Sequence, residues 1–193
     1  MNFTDSSHPM RSLPTVEDYL NVTARPVCIE ESGPGAPCAL TRRLEAAAPW
    51  IHSEPREGPA PRTLTLCGPS PHGAIRFVGD LENRMVEPLV LTLRALGTGQ
   101  VDLDTPATPV FLRDLQRIIH LQLVVSVSCP FCPASAAVTL RLACVSDKVH
   151  VDVVRADVPG APRVHAVPTL LQGTRIVASG PMHEMALVEA LLR

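Results

Sequence analysis

An excess of charge of one sign is missing from this sequence. Its 17 Lys and Arg face 19 Asp and Glu, a net charge of −2. There is no basic field to attract a phosphate backbone and no block of like charges, so nucleic acid is not an expected partner. Also missing is any run near the roughly 18 apolar residues that a spanning helix needs. Even Leu121 to Val127 is cut by Gln122 and Ser126, so no membrane insertion is expected. Met1 to Leu13 mixes Asp5, His8 and Arg11 with polar groups and lacks the apolar core of a secretory signal, which gives a cytoplasmic expectation. The six cysteines stand at wide, irregular spacings with a single close pair, and no His-x₃₋₅-His pair exists. That pattern argues against the disulfide framework of small secreted domains and against structural zinc, so no metal is expected.

What is present fits a folded chain. At 193 residues, 46% hydrophobic and 19% charged, the sequence lies in the globular range and is long enough to bury a substantial core. It is unusual mainly in its 20 prolines and 3% aromatics. Gly97, Gly99, Pro106 and Pro109 interrupt the apolar periodicity and divide the chain in two. The expected organisation is a flexible N-terminus over 1–14, a first fold over 15–100, a linker over 101–109 and a second fold over 110–193. In the second half, Leu121 to Ser126 reads as a buried strand leading into Cys129. A helix follows from about Pro130 to Val145, with Ala136, Leu140 and Ala143 on its core face. Val149 to Val154 is a second strand, and Thr169–Leu171 and Arg175–Ala178 flank Gln172-Gly173-Thr174 as a hairpin. Met182 to Leu192 is the last helix. The first half repeats this plan loosely: helix Val16–Thr23, strand Val27–Ile29, helix Ala39–Ala47, then strands Thr63–Leu66 and Ile75–Val78 and helix Arg84–Leu96. Pro61 precedes the first of those last strands.

The close pair is Cys129-Pro130-Phe131-Cys132. Disulfide exchange needs one thiol ionised near neutral pH and a second close enough to displace the mixed disulfide. With Cys129 at the helix N-cap, unpaired N–H groups and the helix dipole would stabilise its anion, making it the nucleophile. Cys132, one turn on and shielded, is then the resolving thiol. Pro130 would occupy the first helical position, where its missing N–H costs nothing. With no basic residue between the cysteines, a reduction potential of roughly −270 to −200 mV is expected. A second feature is Val167-Pro168-Thr169 at the start of a hairpin strand. The proline reads as a cis-proline packed on the cysteine pair, holding Val167 extended so that a substrate segment can pair with it. Cys144 and Cys28 read as helix-face and strand residues. Trp50 and Phe77 read as core aromatics, and His120, His150 and His165 are assigned no role.

Ser128-Cys129-Pro130-Phe131-Cys132-Pro133, Ala166-Val167-Pro168-Thr169-Leu170 and the hairpin ending Ser179-Gly180 make the second half resemble a thioredoxin or glutaredoxin domain. Arg76-Phe77-Val78-Gly79, Pro88-Leu89-Val90-Leu91 and Ser126-Val127-Ser128-Cys129 extend the resemblance to the N-terminal domain of the flavoprotein component of bacterial alkyl hydroperoxide reductase. Tandem protein disulfide oxidoreductases are the neighbouring relatives. The resemblance implies an α/β chain of two fused thioredoxin-like folds, mixed sheets flanked by helices, with a CxxC motif in the second alone. It implies a dithiol carrier with no cofactor beyond a redox-active Cys129–Cys132 disulfide, acting on protein disulfides such as that of a peroxiredoxin. In that family a flavin module on the same chain supplies the electrons. No G-x-G-x-x-G fingerprint is present, so an external flavoprotein reductase or other thiol donor is expected. Met85 stands where the family has a glutamate near the cysteines; Glu82 and Glu87 are neighbours that could replace it, but each reads more simply as a helix charge facing solvent. Gly35-Ala36-Pro37-Cys38 keeps one cysteine of a lost pair. A reading from a different class is a binding or assembly module that uses the first half for docking.

Overall fold

The computed structural model describes residues 15–69 and 71–193; the expected flexible stretch over 1–14 lies outside them. The chain runs α1 (Val16–Leu20), β1 (Val27–Gly33), α2 (Ala39–Ala47), β2 (Ile51–Glu57), β3 (Thr63–Cys67), β4 (Ile75–Val78) and α3 (Val86–Thr98), with a 3₁₀ turn over Asn83–Met85 leading into α3. It continues as α4 (Thr108–Arg113), β5 (Ile119–Val125), α5 (Cys132–Cys144), β6 (Val149–Arg155), β7 (Thr169–Gln172), β8 (Arg175–Ser179) and α6 (Glu184–Leu191). Among the described residues the eight strands form one sheet in the order β2-β1-β3-β4-β6-β5-β7-β8. Each half contributes the same four-strand order: a parallel pair joined through a helix, then an antiparallel pair. The halves meet where β4 pairs in parallel with β6, Phe77 opposite Val153.

Local chemistry explains most boundaries. Thr15 and Asp18 form a capping box, with Asp18 N–H donating to Thr15 Oγ1 at 3.2 Å and Thr15 N–H to Asp18 Oδ2 at 2.8 Å. The helix is shorter than the expected Val16–Thr23, because Asn21 caps it and β-branched Val22 and Thr23 follow. α3 ends on Gly99, whose φ of 71° is the left-handed cap that glycine adopts without strain. Two elements escape the sequence reading. β2 has one buried residue in seven and carries Pro55, as befits an edge strand. α4 starts at the end of the proline-broken stretch and runs past the boundary expected at 109–110, and Pro109 fits its first turn because its missing N–H has no partner to lose. That stretch is tied down by the fully buried Glu184, which accepts from Asp104 N–H at 2.9 Å and from Thr108 Oγ1.

The helices touch one another in an unbroken series, α2 to α1, α1 to α3, α3 to α5, and α5 to both α4 and α6. They therefore cover one face of the sheet. β1, β3 and β4 alternate buried residues toward that layer with exposed or half-buried ones away from it, and β5 and β6 do so as far as Val124 and Val154, which are buried on the opposite face. The core consists of residues such as Ile29, Leu66, Phe77, Leu89, Leu93, Leu121 and Val151. Connections β2–β3 and β6–β7 contain no helix, so among the described residues no helix covers the second sheet face, although Val124 and Val154 are buried on it. Its polar side chains pair across strands: Arg76 with Asp152 at 2.5 Å, and the His120 ring edge-on to His150 at 4.7 Å between centroids. Gly73 brings the halves together closely. It donates to Ala143 O at 2.9 Å, and any Cβ there would lie 1.7 Å from Val149 O. No described helix is long and apolar enough to cross a membrane.

Candidate active site

β5 is buried along the run Leu123-Val124-Val125, which anchors the segment that follows it. After Val125 the chain turns, with Cys129 N–H donating to Ser126 O at 3.2 Å and the Ser126 and Ser128 hydroxyls 3.0 Å apart. This turn displaces the helix start from the position that the sequence predicts. α5 begins at Cys132, with Phe131 as N-cap, its carbonyl accepting from Ser135 N–H at 3.2 Å. Cys129 is thus not the N-cap and Pro130 is not the first helical residue. Pro133 takes the first-turn position that suits a proline, and Cys132, rather than Cys129, sits in the first turn among the unpaired N–H groups.

The two thiols are unbridged and differ in setting. Cys129 is half-buried, and its Sγ donates to Val167 O at 3.6 Å. Cys132 is fully buried. Its thiol is pushed up to about 12, first by loss of solvent and then by its hydrogen bond and charge interaction with Cys129. Phe131, between the two cysteines in sequence, is 56% exposed, and Pro130 is exposed as well.

The Val167–Pro168 segment reaches the same place. Its peptide bond is cis, Pro168 is buried, and Val167 packs against the core. Pro168 O accepts from Gly180 N–H at 2.8 Å, while Thr169 Oγ1 donates to Ala166 O at 2.8 Å and lies 3.1 Å from Ser179 Oγ. These bonds fix the strand start against β8. Cys129 and Cys132, with Phe131 at the rim, are therefore brought together with Val167 and Pro168, and Thr169 stands behind them as a buried support. Among the described residues no His, Cys, Asp and Glu cluster could hold a metal ion.

No carboxylate among the described hydrogen bonds and ion pairs reaches these thiols. Met85 is buried, Glu87 is exposed, and Glu82 pairs with Arg155 at 3.4 Å. The corresponding place in the first half is built differently. Ala60–Pro61 is also cis and precedes β3, but the residue after it is Arg62, whose guanidinium pairs with Glu31 and, at 2.7 Å, with Asp80. Glu31 is 1% exposed and also accepts from Cys38 N–H at 2.9 Å. Cys38 is the N-cap of α2, its Sγ 3.4 Å from Thr41 Oγ1. An ion pair fills the first half where a dithiol occupies the second. Sequence reasoning misses the Glu31–Arg62 pair, since a carboxylate on a strand normally faces water.

No family model and no curated protein matches the chain. Solved structures do. The alkylhydroperoxide reductase AhpF of Enterococcus faecalis, in a C503A mutant, superposes with a TM-score of 0.76 at 17% identity, covering 91% of this chain and 95% of that one. The fold is thioredoxin-like, twice over. An N-terminal domain structure of the same E. faecalis protein gives a TM-score of 0.74 at 15% identity, again over 91% and 95%. A protein disulfide oxidoreductase from Aeropyrum pernix gives 0.68 at 18% identity, over 92% and 89%. At such identities the likeness concerns the fold alone.

Proposed function

We propose that this thioredoxin-like chain is a thiol–disulfide oxidoreductase that acts as a dithiol carrier toward protein disulfides. The observation that carries the reading is the asymmetry of the pair: a half-exposed Cys129 facing the Val167 carbonyl, and a buried Cys132 held as a thiol behind it. The Cys129 thiolate attacks one sulfur of a partner disulfide, forming a Cys129–partner bond and releasing the other partner sulfur as a thiolate that takes up a proton. Cys132 then loses its proton and attacks Cys129 Sγ. The mixed disulfide breaks, the partner leaves as a dithiol, and Cys129–Cys132 becomes the disulfide. An external dithiol or flavoprotein reductase returns the two electrons and two protons. Peroxiredoxins are the partner class suggested by the family resemblance.

The backbone around Val167 and the apolar rim at Phe131 suit an extended partner segment. Pairing along Val167 would present a substrate sulfur to Cys129 while leaving Cys132 shielded from it. Turnover of a generic protein disulfide with dithiothreitol as reductant tests the reading. Wild type should turn over, and Cys129→Ser should fall to the uncatalysed rate. Equal rates for the two would refute it.

A further inference from the structure

β1 and β3 are antiparallel neighbours, and their register places Cys28 directly opposite Cys67. Both side chains alternate out of phase with the buried residues Val27, Ile29, Leu64 and Leu66. They therefore lie side by side on the sheet face away from the helices, half-buried and unbridged. Directly opposed residues of an antiparallel pair have Cα atoms about 4.5 or 5.5 Å apart, within the roughly 4.4–6.8 Å that a disulfide spans. Bond formation draws the Cβ atoms together by about an ångström and leaves the strand pairing in place.

We propose that Cys28 and Cys67 form a second, reversible disulfide, a redox-responsive staple between β1 and β3 that is separate from Cys129–Cys132. The surroundings set its resting state. Burial, then the Glu54 carboxylate, Cys67 itself and Glu30 push the Cys28 thiol up to about 11, and burial followed by Glu30 and Glu54 raises Cys67 as well. His52 on β2 is the register partner of Cys28. Near neutral pH the pair rests as two thiols with little thiolate, so exchange with an oxidant is slow there and quickens as the pH rises. The oxidant class is a small-molecule disulfide. One thiolate of the pair attacks it, forming a mixed disulfide and releasing one small thiol. The second cysteine, losing its proton, attacks the protein sulfur and releases the other. Two small thiols leave for each protein disulfide made, and no further electron acceptor is needed.

The test uses the full chain carrying Cys129→Ser and Cys132→Ser, so that the outcome is independent of the proposed carrier activity. The folded protein is equilibrated at high dilution with oxidised glutathione, remaining thiols are alkylated, and peptides are mapped without reduction. The expected result is an intrachain link between the Cys28 and Cys67 peptides, reversed by dithiothreitol. A further Cys67→Ser change should convert Cys28 from linked to a lasting glutathione adduct. Separate adducts on Cys28 and Cys67 in the parent variant, a link only between chains, or both positions still open to alkylation would each overturn the proposal.

Discussion

The difference between the two thiols can be put on a scale. A thiol held at about 12, as burial holds Cys132, has about one part in 10⁵ of thiolate at neutral pH, against about 3% for a free cysteine near 8.5. Since the thiolate is the nucleophile, and a more basic thiolate is intrinsically more nucleophilic, the scarcity is partly offset and Cys132 should be alkylated about 100-fold more slowly in the folded protein than in the denatured chain, before any steric shielding is added. The rate should rise about tenfold per pH unit from neutral into the mildly alkaline range, because burial disfavours the charged form and each unit restores a tenfold larger thiolate fraction. The assay is a short iodoacetamide pulse on reduced protein at several pH values, with Cys132 resolved by peptide mass and the denatured chain as reference. Alkylation of folded Cys132 within tenfold of the denatured rate would refute the reasoning.

Three other perturbations follow from the fold. Arg62→Met leaves the buried Glu31 carboxylate without its ion-pair partner and should cost about 3–5 kcal/mol in urea denaturation, while Glu31→Leu with Arg62→Met should recover most of the loss; a loss under about 1 kcal/mol for the single change would contradict the account. Gly73→Ala would place a Cβ against Val149 O and should destabilise the chain by more than the roughly 1–3 kcal/mol usual for core overpacking, a near-neutral result meaning that the halves do not meet there as described. Phe77→Ala, at the fully buried β4 position opposite Val153, should cost about 3–5 kcal/mol by the same measurement, and a cost under about 1 kcal/mol would mean that the β4–β6 seam is not core.

How far the sequence can be read depends on whether a feature is local. The strand before Cys129, the helix after Cys132 and the hairpin around Gln172-Gly173-Thr174 all follow from periodicity and turn residues within a short window, and all stand in the structure. The helix start differs because two prolines compete for its first turn, and the Ser126–Cys129 turn gives that role to Pro133 rather than Pro130. β2 is invisible because an edge strand with Pro55 and charged neighbours shows almost no apolar alternation. Other features depend on register between distant strands. Glu31 and Arg62 look like surface charges until the sheet buries the first beside the second. Cys28 with Cys67, and His120 with His150, become neighbours only when strands far apart in sequence are aligned. The fused plan is legible as a loose repeat; the continuous sheet that joins the halves at β4 and β6 is not.

The central claim is that Cys129 attacks partner disulfides and Cys132 releases them. Trapping tests it most directly: the full chain with Cys132→Ser is mixed with a disulfide-bearing protein, and adducts are resolved without reductant. The account predicts a mixed disulfide through Cys129 that dithiothreitol dissolves, little adduct with wild type, and none through this site with Cys129→Ser and Cys132→Ser together. Equal complex formation by the double variant would contradict it and point to recognition without exchange.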